Sequence, residues 1–267
     1  MGLLYDSGVG LARDYAKAAA WYRKAAIQGE VNAQNNLGIL YEHGTGVPQD
    51  YAKAAAWYRK AGLGYRKGGV QYTSAAQNNL GLLYEYGRGV PQDYAKAVSL
   101  YRLAEGRGAD IVALDNLGRL YEQGRGVPRS YPKALEWYRK AAGRQDALAQ
   151  RKLGVFYQSG YGVSKDYAEA ADWFRKAAEQ GDAEAQNDLG FLYAKGLGVS
   201  RSYVKAVKWF RKAAEQGDAE GEINLAASYK LGQGVQKNVA EAIKWYQKGA
   251  NQGVLFAKEK LEELEGN

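Results

Sequence analysis

Two short stretches carry the residue types of a serine nucleophile. Ser130-Tyr131-Pro132-Lys133 and Ser202-Tyr203-Val204-Lys205 fit the Ser-x-x-Lys spacing of penicillin-recognising enzymes. A cell-wall or lactam-acting enzyme is the chemistry such a pair would support. Both serines, however, stand in a repeated column with Asp14, Asp50, Asp93, Asp166 and Asn238. All of these side chains can accept from the free N–H groups that open a helix, and no Lys-Thr-Gly follows either serine. The column therefore predicts helix caps. His43 is the single histidine and there is no cysteine, so neither a tetrahedral zinc site of the usual kind nor a disulfide framework can be assembled. Paired glycines such as Gly44-Thr45-Gly46 lack the strand–turn–helix setting of a nucleotide fingerprint. No catalytic residue, metal or cofactor is assigned.

A basic surface is the other source of chemistry. The formal charge is +8, much of it in pairs that recur late in a helix: Arg23-Lys24, Arg59-Lys60, Arg139-Lys140, Arg175-Lys176 and Arg211-Lys212. Cations there complement the helix dipole. Binding of nucleic acid or an anionic envelope polymer is the alternative use of such charge. It would need exposed rings along a basic groove. Of 22 tyrosines, 18 fall in three repeated columns, typified by Tyr41, Tyr51 and Tyr58, which read as inward-facing. Nucleic acid is therefore the weaker reading.

The elements that hold these residues come from one unit written repeatedly. Trp21 and Trp57 are 36 residues apart, and Trp137, Trp173, Trp209 and Trp245 continue at the same spacing. A period of this size means stacked units, none of which buries its apolar face alone. In Ala183–Asp218 the unit reads as two helices. Ala185, Leu189 and Tyr193 share one face of the first, which Gly196 ends; Ala206, Trp209, Phe210 and Ala213 form the stripe of the second, which starts after Ser202. The 267 residues divide into a half repeat (1–29) and full repeats near 31–74, 75–110, 111–146, 147–182, 183–218 and 219–253. A capping helix follows at 254–265, with Phe256, Leu261 and Leu264 inward, and the whole is expected to be a single domain. Leu100 replaces the tryptophan of its column, and Gly62–Ser74 inserts seven residues containing Tyr65, Arg66, Lys67 and Tyr72, a candidate contact loop.

The columns L-G-x-x-Y-x-x-G-x-G-V and D-Y-x-K-A-x-x-W-Y-R-K-A-A resemble those of the Sel1-like repeat family, a relative of tetratricopeptide repeats, over Met1 to Gly253. The resemblance implies an all-α, right-handed α/α superhelical solenoid and a non-enzymatic adaptor or scaffold of bacterial origin. Regulation, host interaction and toxin neutralisation are the roles it suggests. Some members carry a disulfide in each repeat; this chain cannot. No apolar run approaches the roughly 20 residues of a membrane helix, and the start MGLLYDSG does not read as a signal peptide. The compartment stays open: cytoplasmic as written, periplasmic or secreted if the natural chain extends upstream. Because Met1-Gly2 aligns with Leu37-Gly38, the opening half repeat is expected to lack a cover and to favour end-to-end self-association.

Candidate partner-binding residues are those that vary between units. Positions two before and two after the repeated leucine lie about 160–200° from it on the first helix. They hold Asn35, Asn78, Asp115, Arg151 and Asn187, and Ile39, Leu82, Arg119, Val155 and Phe191. By resemblance to tetratricopeptide repeats this face lines a concave groove. Its mixture of amides, charges and apolar groups suits a protein or peptide partner.

Overall fold

A computed structural model describes residues 1–63, 73–105 and 111–265. Among them the regular structure is entirely helical. First helices of the repeats are α1 (Gly2–Ser7), α3 (Val31–His43), α5 (Ser74–Tyr86), α7 (Ile111–Gln123), α9 (Ala147–Ser159), α11 (Ala183–Lys195) and α13 (Ala219–Leu231). Second helices are α2 (Tyr15–Ile27), α4 (Tyr51–Leu63), α6 (Tyr94–Glu105), α8 (Tyr131–Ala142), α10 (Tyr167–Glu179), α12 (Tyr203–Glu215) and α14 (Val239–Asn251). The last helix is α15 (Leu255–Glu265). The chain forms two compact units, Met1–Trp137 and Tyr138–Asn267, with the boundary inside α8. Successive helices pack on one another from α1 to α7 in the first unit and from α9 to α15 in the second. Tyr65, Arg66, Lys67 and Tyr72, and the extra residue near Gly106–Ala109, lie outside the described residues.

Capping follows the column read from sequence. Asp50 Oδ1 accepts from the Lys53 N–H at 2.9 Å, and Asn238 does the same for Glu241 at 3.1 Å. Four first helices are capped as well, by Thr73, Asp146, Asp182 and Asp218. The turn between helices is short because glycine ends the first one: Gly44 takes a left-handed conformation and donates to Leu40 O. Gly46 meets a stricter demand. Its φ is +69°, and a Cβ there would stand 2.3 Å from the Tyr15 carbonyl carbon of the preceding repeat.

The tryptophan column departs from the sequence reading, which placed it in the core stripe beside the ring that follows it. Tyr22, Tyr58, Tyr101, Phe174, Phe210 and Tyr246, each one residue after the tryptophan column, are the buried rings. The tryptophans are partly exposed, 41% in the case of Trp21. All of these rings but Tyr246, whose repeat has Ala226 instead, lie against the glycine of a first helix: a Cβ on Gly38 would fall 2.5 Å from Tyr58 Cε1. The adjacent tryptophan therefore slides to the edge of the core, where the lysine three residues on covers its face. Lys176 Nζ is 3.8 Å from the Trp173 ring centre and Lys248 Nζ is 4.1 Å from that of Trp245. The last helix departs in one residue. Leu261 is buried and Leu264 partly buried, but Phe256 is 50% exposed, because Ala257 is the residue that faces the core.

Candidate functional site

The basic pairs of the second helices are used in packing. Arg23 donates to Tyr41 Oη at 2.6 Å and Arg59 to Tyr84 Oη at 3.1 Å. Arg139 and Arg211 reach Tyr157 and Tyr229, both at 2.7 Å. The same tyrosine faces take a second cation: Lys53 Nζ lies 5.6 Å from the Tyr41 ring centre and Lys96 Nζ 5.3 Å from that of Tyr84. The serine–lysine pairs are likewise occupied. Ser130 Oγ accepts from the Lys133 N–H at 3.4 Å and Ser202 Oγ from the Lys205 N–H at 3.3 Å. Both ammonium groups sit over tyrosine rings, Tyr121 and Tyr193. His43 is exposed in the last turn of α3.

The variable columns of the first helices divide by depth. Asn35, Asn78 and Asp115 are buried, while Arg151 and Asn187 are partly so. Asn35, Asn78 and Asn187 form rungs with the following first helix. Asn79 Nδ2 donates to Asn35 Oδ1 at 3.3 Å, Asn116 to Asn78 at 3.2 Å, and Asn224 to Asn187 at 2.8 Å. Arg151 instead carries charge: it pairs with Asp182 at 3.3 Å and Glu184 at 2.6 Å. Asp188 stands at the equivalent of Asn224 and its carboxyl is pushed up to about 7. Burial is the main cause, with Glu184, Asp218 and Asp182 adding to it and Arg151 opposing it.

A second ladder carries no signal that the sequence reading used. Gln186 Nε2 donates to the Ala178 carbonyl at the end of α10, at 3.0 Å, while its Oε1 accepts from Gln216 at 2.9 Å. Gln150 and Gln180 repeat the amide contact at 2.8 Å. The recurrence of glutamine three residues before the repeated leucine, at Gln34, Gln77, Gln150 and Gln186, is the signal that could have found it.

The outer column, Ile39, Leu82, Arg119, Val155 and Phe191, is half-buried up to Phe191, which is 36% exposed. Arg119 closes the surface over its neighbours. Its guanidinium bonds Glu85 through both arms, at 2.6 and 2.9 Å, and also Asn116 Oδ1 at 3.0 Å. Glu85 is only 1% exposed and accepts the Tyr101 hydroxyl at 2.8 Å as well. Burial, and then the Glu85 charge, push the Tyr101 phenol far up; the same carboxylate raises Arg119. Three side chains thus form a closed ionic cluster between α5, α6 and α7.

In the second unit the equivalent positions are Ala194, Phe210 and Ala227, so carboxylate, phenol and guanidinium are all missing. The asparagine frame, Asn187 and Asn224, is unchanged. What remains is a pocket of about 400 Å³ between α11, α12 and α13. Phe210, Ala194 and Ala227 line it together with Phe191, Leu231 and Lys195. Leu231 is 60% exposed. Lys195 Nζ lies 5.7 Å from the Phe191 ring centre, and no carboxylate among the described residues pairs with it. The arrangement can hold an apolar group against an aromatic floor, with a cation at its edge. A smaller apolar pocket of about 320 Å³ in the first unit lies where Leu100 and Leu103 replace the tryptophan and its lysine.

The Sel1 repeat matches residues 1–30, 31–64, 74–108, 111–146, 147–182, 183–218 and 219–254. The chain is 39% identical, with a TM-score of 0.86, to the crystal structure of c5321, a protective antigen present in uropathogenic Escherichia coli strains displaying an SLR fold. That alignment covers 98% of this chain and 55% of the other, so the chain spans about half the length of the E. coli protein. A Sel1 repeat protein from Oxalobacter formigenes is 34% identical at a TM-score of 0.78, over 93% of this chain and 94% of that one. Yeast Tom70 shares the fold alone, at 16% identity and a TM-score of 0.52, over 94% of this chain and 60% of the other. A comparison with curated protein sequences gives no match. With repeats of one family matched along nearly its whole length and the helix pairs stacked as that family stacks them, the chain is an all-α solenoid and belongs to the Sel1 repeat family.

Proposed function

We propose that this protein is a non-enzymatic interaction scaffold that takes a segment of a partner protein on the open face of its first helices. Sel1 repeats generally serve protein–protein interaction. The observation that carries the reading here is the pocket between α11, α12 and α13, where two exposed apolar side chains, Phe191 and Leu231, border a concave surface. Exposed apolar residues around a concavity are what an interface core needs. Of the residues read from sequence, Phe191 belongs to this pocket, with Leu82, Val155 and Ile39 as its counterparts elsewhere on the outer column. Asn35, Asn78 and Asn187 support the face through their rungs. Similarity to a protective antigen makes bacterial host interaction the setting this reading favours.

A photo-crosslinking amino acid placed at Phe191 in the full chain tests the reading. The same label at Val204, 69% exposed on α12, serves as the control. The proposal expects a discrete crosslinked protein species in bacterial cells or host extracts from position 191 and not from 204. Equal labelling from both positions, or none from 191, would contradict it.

A further inference from the structure

We propose that the pocket between α11, α12 and α13 receives a large apolar side chain, leucine or phenylalanine, that stands next to a carboxylate in the partner segment. This rests on the interaction reading above and adds the chemistry of what is bound.

Two equivalent places in the chain are filled differently. In the first unit, Glu85, Tyr101 and Arg119 fill the space between adjacent first helices and satisfy one another. In the second, Ala194, Phe210 and Ala227 stand at the same three positions. Elsewhere the carboxylate and phenol stand without the guanidinium, as Glu42 and Tyr58 do where Leu82 replaces it. A guanidinium buried here without the carboxylate would lack its partner, and that is costly. All three are replaced together, and the frame of Asn187 and Asn224 is kept. The result is about 400 Å³ of space with a phenyl floor and no buried ion to satisfy. An apolar cavity of about 150 Å³ is enough to bind benzene. A leucine or phenylalanine side chain therefore fits, and a charged one would find no partner on the floor.

The edge supplies the second half. Lys195 is the cation lining the pocket, and it rests on Phe191 rather than on a carboxylate. Lys230, another lysine in the last turn of a first helix, is by contrast held by Glu263 at 2.8 Å. A carboxylate beside the apolar anchor would give Lys195 a partner, and the chain's +8 charge favours approach of an acidic segment. Asn224 uses only Nδ2 in its rung, so its Oδ1 remains to accept a backbone N–H from the bound segment.

The test uses the full chain and a fluorescein-labelled, C-terminally amidated peptide of sequence Glu-Glu-Leu-Phe-Glu-Glu, read by polarisation. Two control peptides replace Leu-Phe by Ala-Ala or every Glu by Lys. The variant Ala194→Glu/Phe210→Tyr/Ala227→Arg rebuilds the cluster of the first unit and fills the pocket. Ala227→Leu plugs it with one apolar group, in case the triple variant does not fold. Saturable binding of the acidic peptide is expected, weakened at least about tenfold by either filling variant and by the Ala-Ala change, as for loss of a buried anchor. Lys195→Glu should weaken it several-fold while leaving helicity unchanged. Undiminished binding to both filling variants, a preference for the lysine peptide, or no saturable binding would each overturn the proposal. Crosslinking at Phe191 without peptide binding would remove this inference and leave the interaction reading standing. Failure of both would remove both.

Discussion

At the scale of single residues, burial and not residue type decides which aromatic holds a repeat together. Phe174 has no exposed surface, whereas the neighbouring Trp173 lies at the core's edge, donates to Glu169 at 2.8 Å and is covered by Lys176. Phe174→Ala should cost about 3–5 kcal/mol and Trp173→Ala roughly half of that, measured from urea midpoints. Equal losses would put the tryptophan back in the core. Arg119 follows the same logic. A solvent-facing arginine tolerates charge reversal, but this one neutralises a carboxylate that is 1% exposed. Arg119→Glu should therefore destabilise by on the order of 3 kcal/mol and lower the melting temperature of the first unit. Asp188 gives a pH dependence. Its carboxyl titrates near 7 in the fold, against 3.8 when unperturbed. Between those values the folded chain keeps a proton that the unfolded chain has released. Stability should then fall as pH rises from about 4 to about 7 and level off above it. Asp188→Asn should flatten that slope in chemical denaturation at several pH values; an unchanged slope would show that Asp188 is not its source.

At the scale of elements, most of the fold was legible because it is written in local chemistry. The N-cap column, the glycine stops and the apolar stripes each fix one helix end or one helix face without reference to anything distant. At Gly46 both the left-handed φ and the approach of Tyr15 require glycine. Gly46→Ala should cost about 1–3 kcal/mol, seen as a lower melting temperature. No change would mean the turn relaxes freely. What was not legible is which neighbour each face meets. Angles on a helical wheel place Asn35 and Asn78 opposite the leucine, but not that the next first helix covers them. The signal lay in paired columns. An amide stands opposite an amide at Asn35 and Asn79, Asn78 and Asn116, and Asn187 and Asn224, and an aspartate stands opposite Arg151 at Asp188. The ring pairs carry a similar rule. Tyr22, Tyr58 and Tyr101 donate to Asp6, Glu42 and Glu85, while Phe174 and Phe210 accompany Gln158 and Ala194. Where Lys230 breaks that rule beside Tyr246, α15 brings the carboxylate of Glu263 instead.

At the scale of the whole molecule, the repeat supplies a frame and the departures from it supply the places where a partner can bind. The Sel1 repeats share their helix ends and cation–tyrosine packing within this one chain, and the glycine contact recurs along them but not in the last, where Ala226 stands. Functional reading from sequence alone named Phe191 and Leu82, which lie on the face proposed here to take a partner. It could not separate rungs from open surface, because polar columns look alike whether they bond to a neighbour or to water. The pocket became visible only when Ala194, Phe210 and Ala227, far apart in sequence, were seen to meet. These three columns are proposed to decide between a face closed by ions and one open to a ligand. A crystal structure of the Ala194→Glu/Phe210→Tyr/Ala227→Arg variant tests this most directly. The introduced guanidinium should bind the introduced carboxylate through both arms, the new hydroxyl should donate to the same group, and the space between α11, α12 and α13 should be filled. Side chains turned out to solvent over an intact pocket would contradict it.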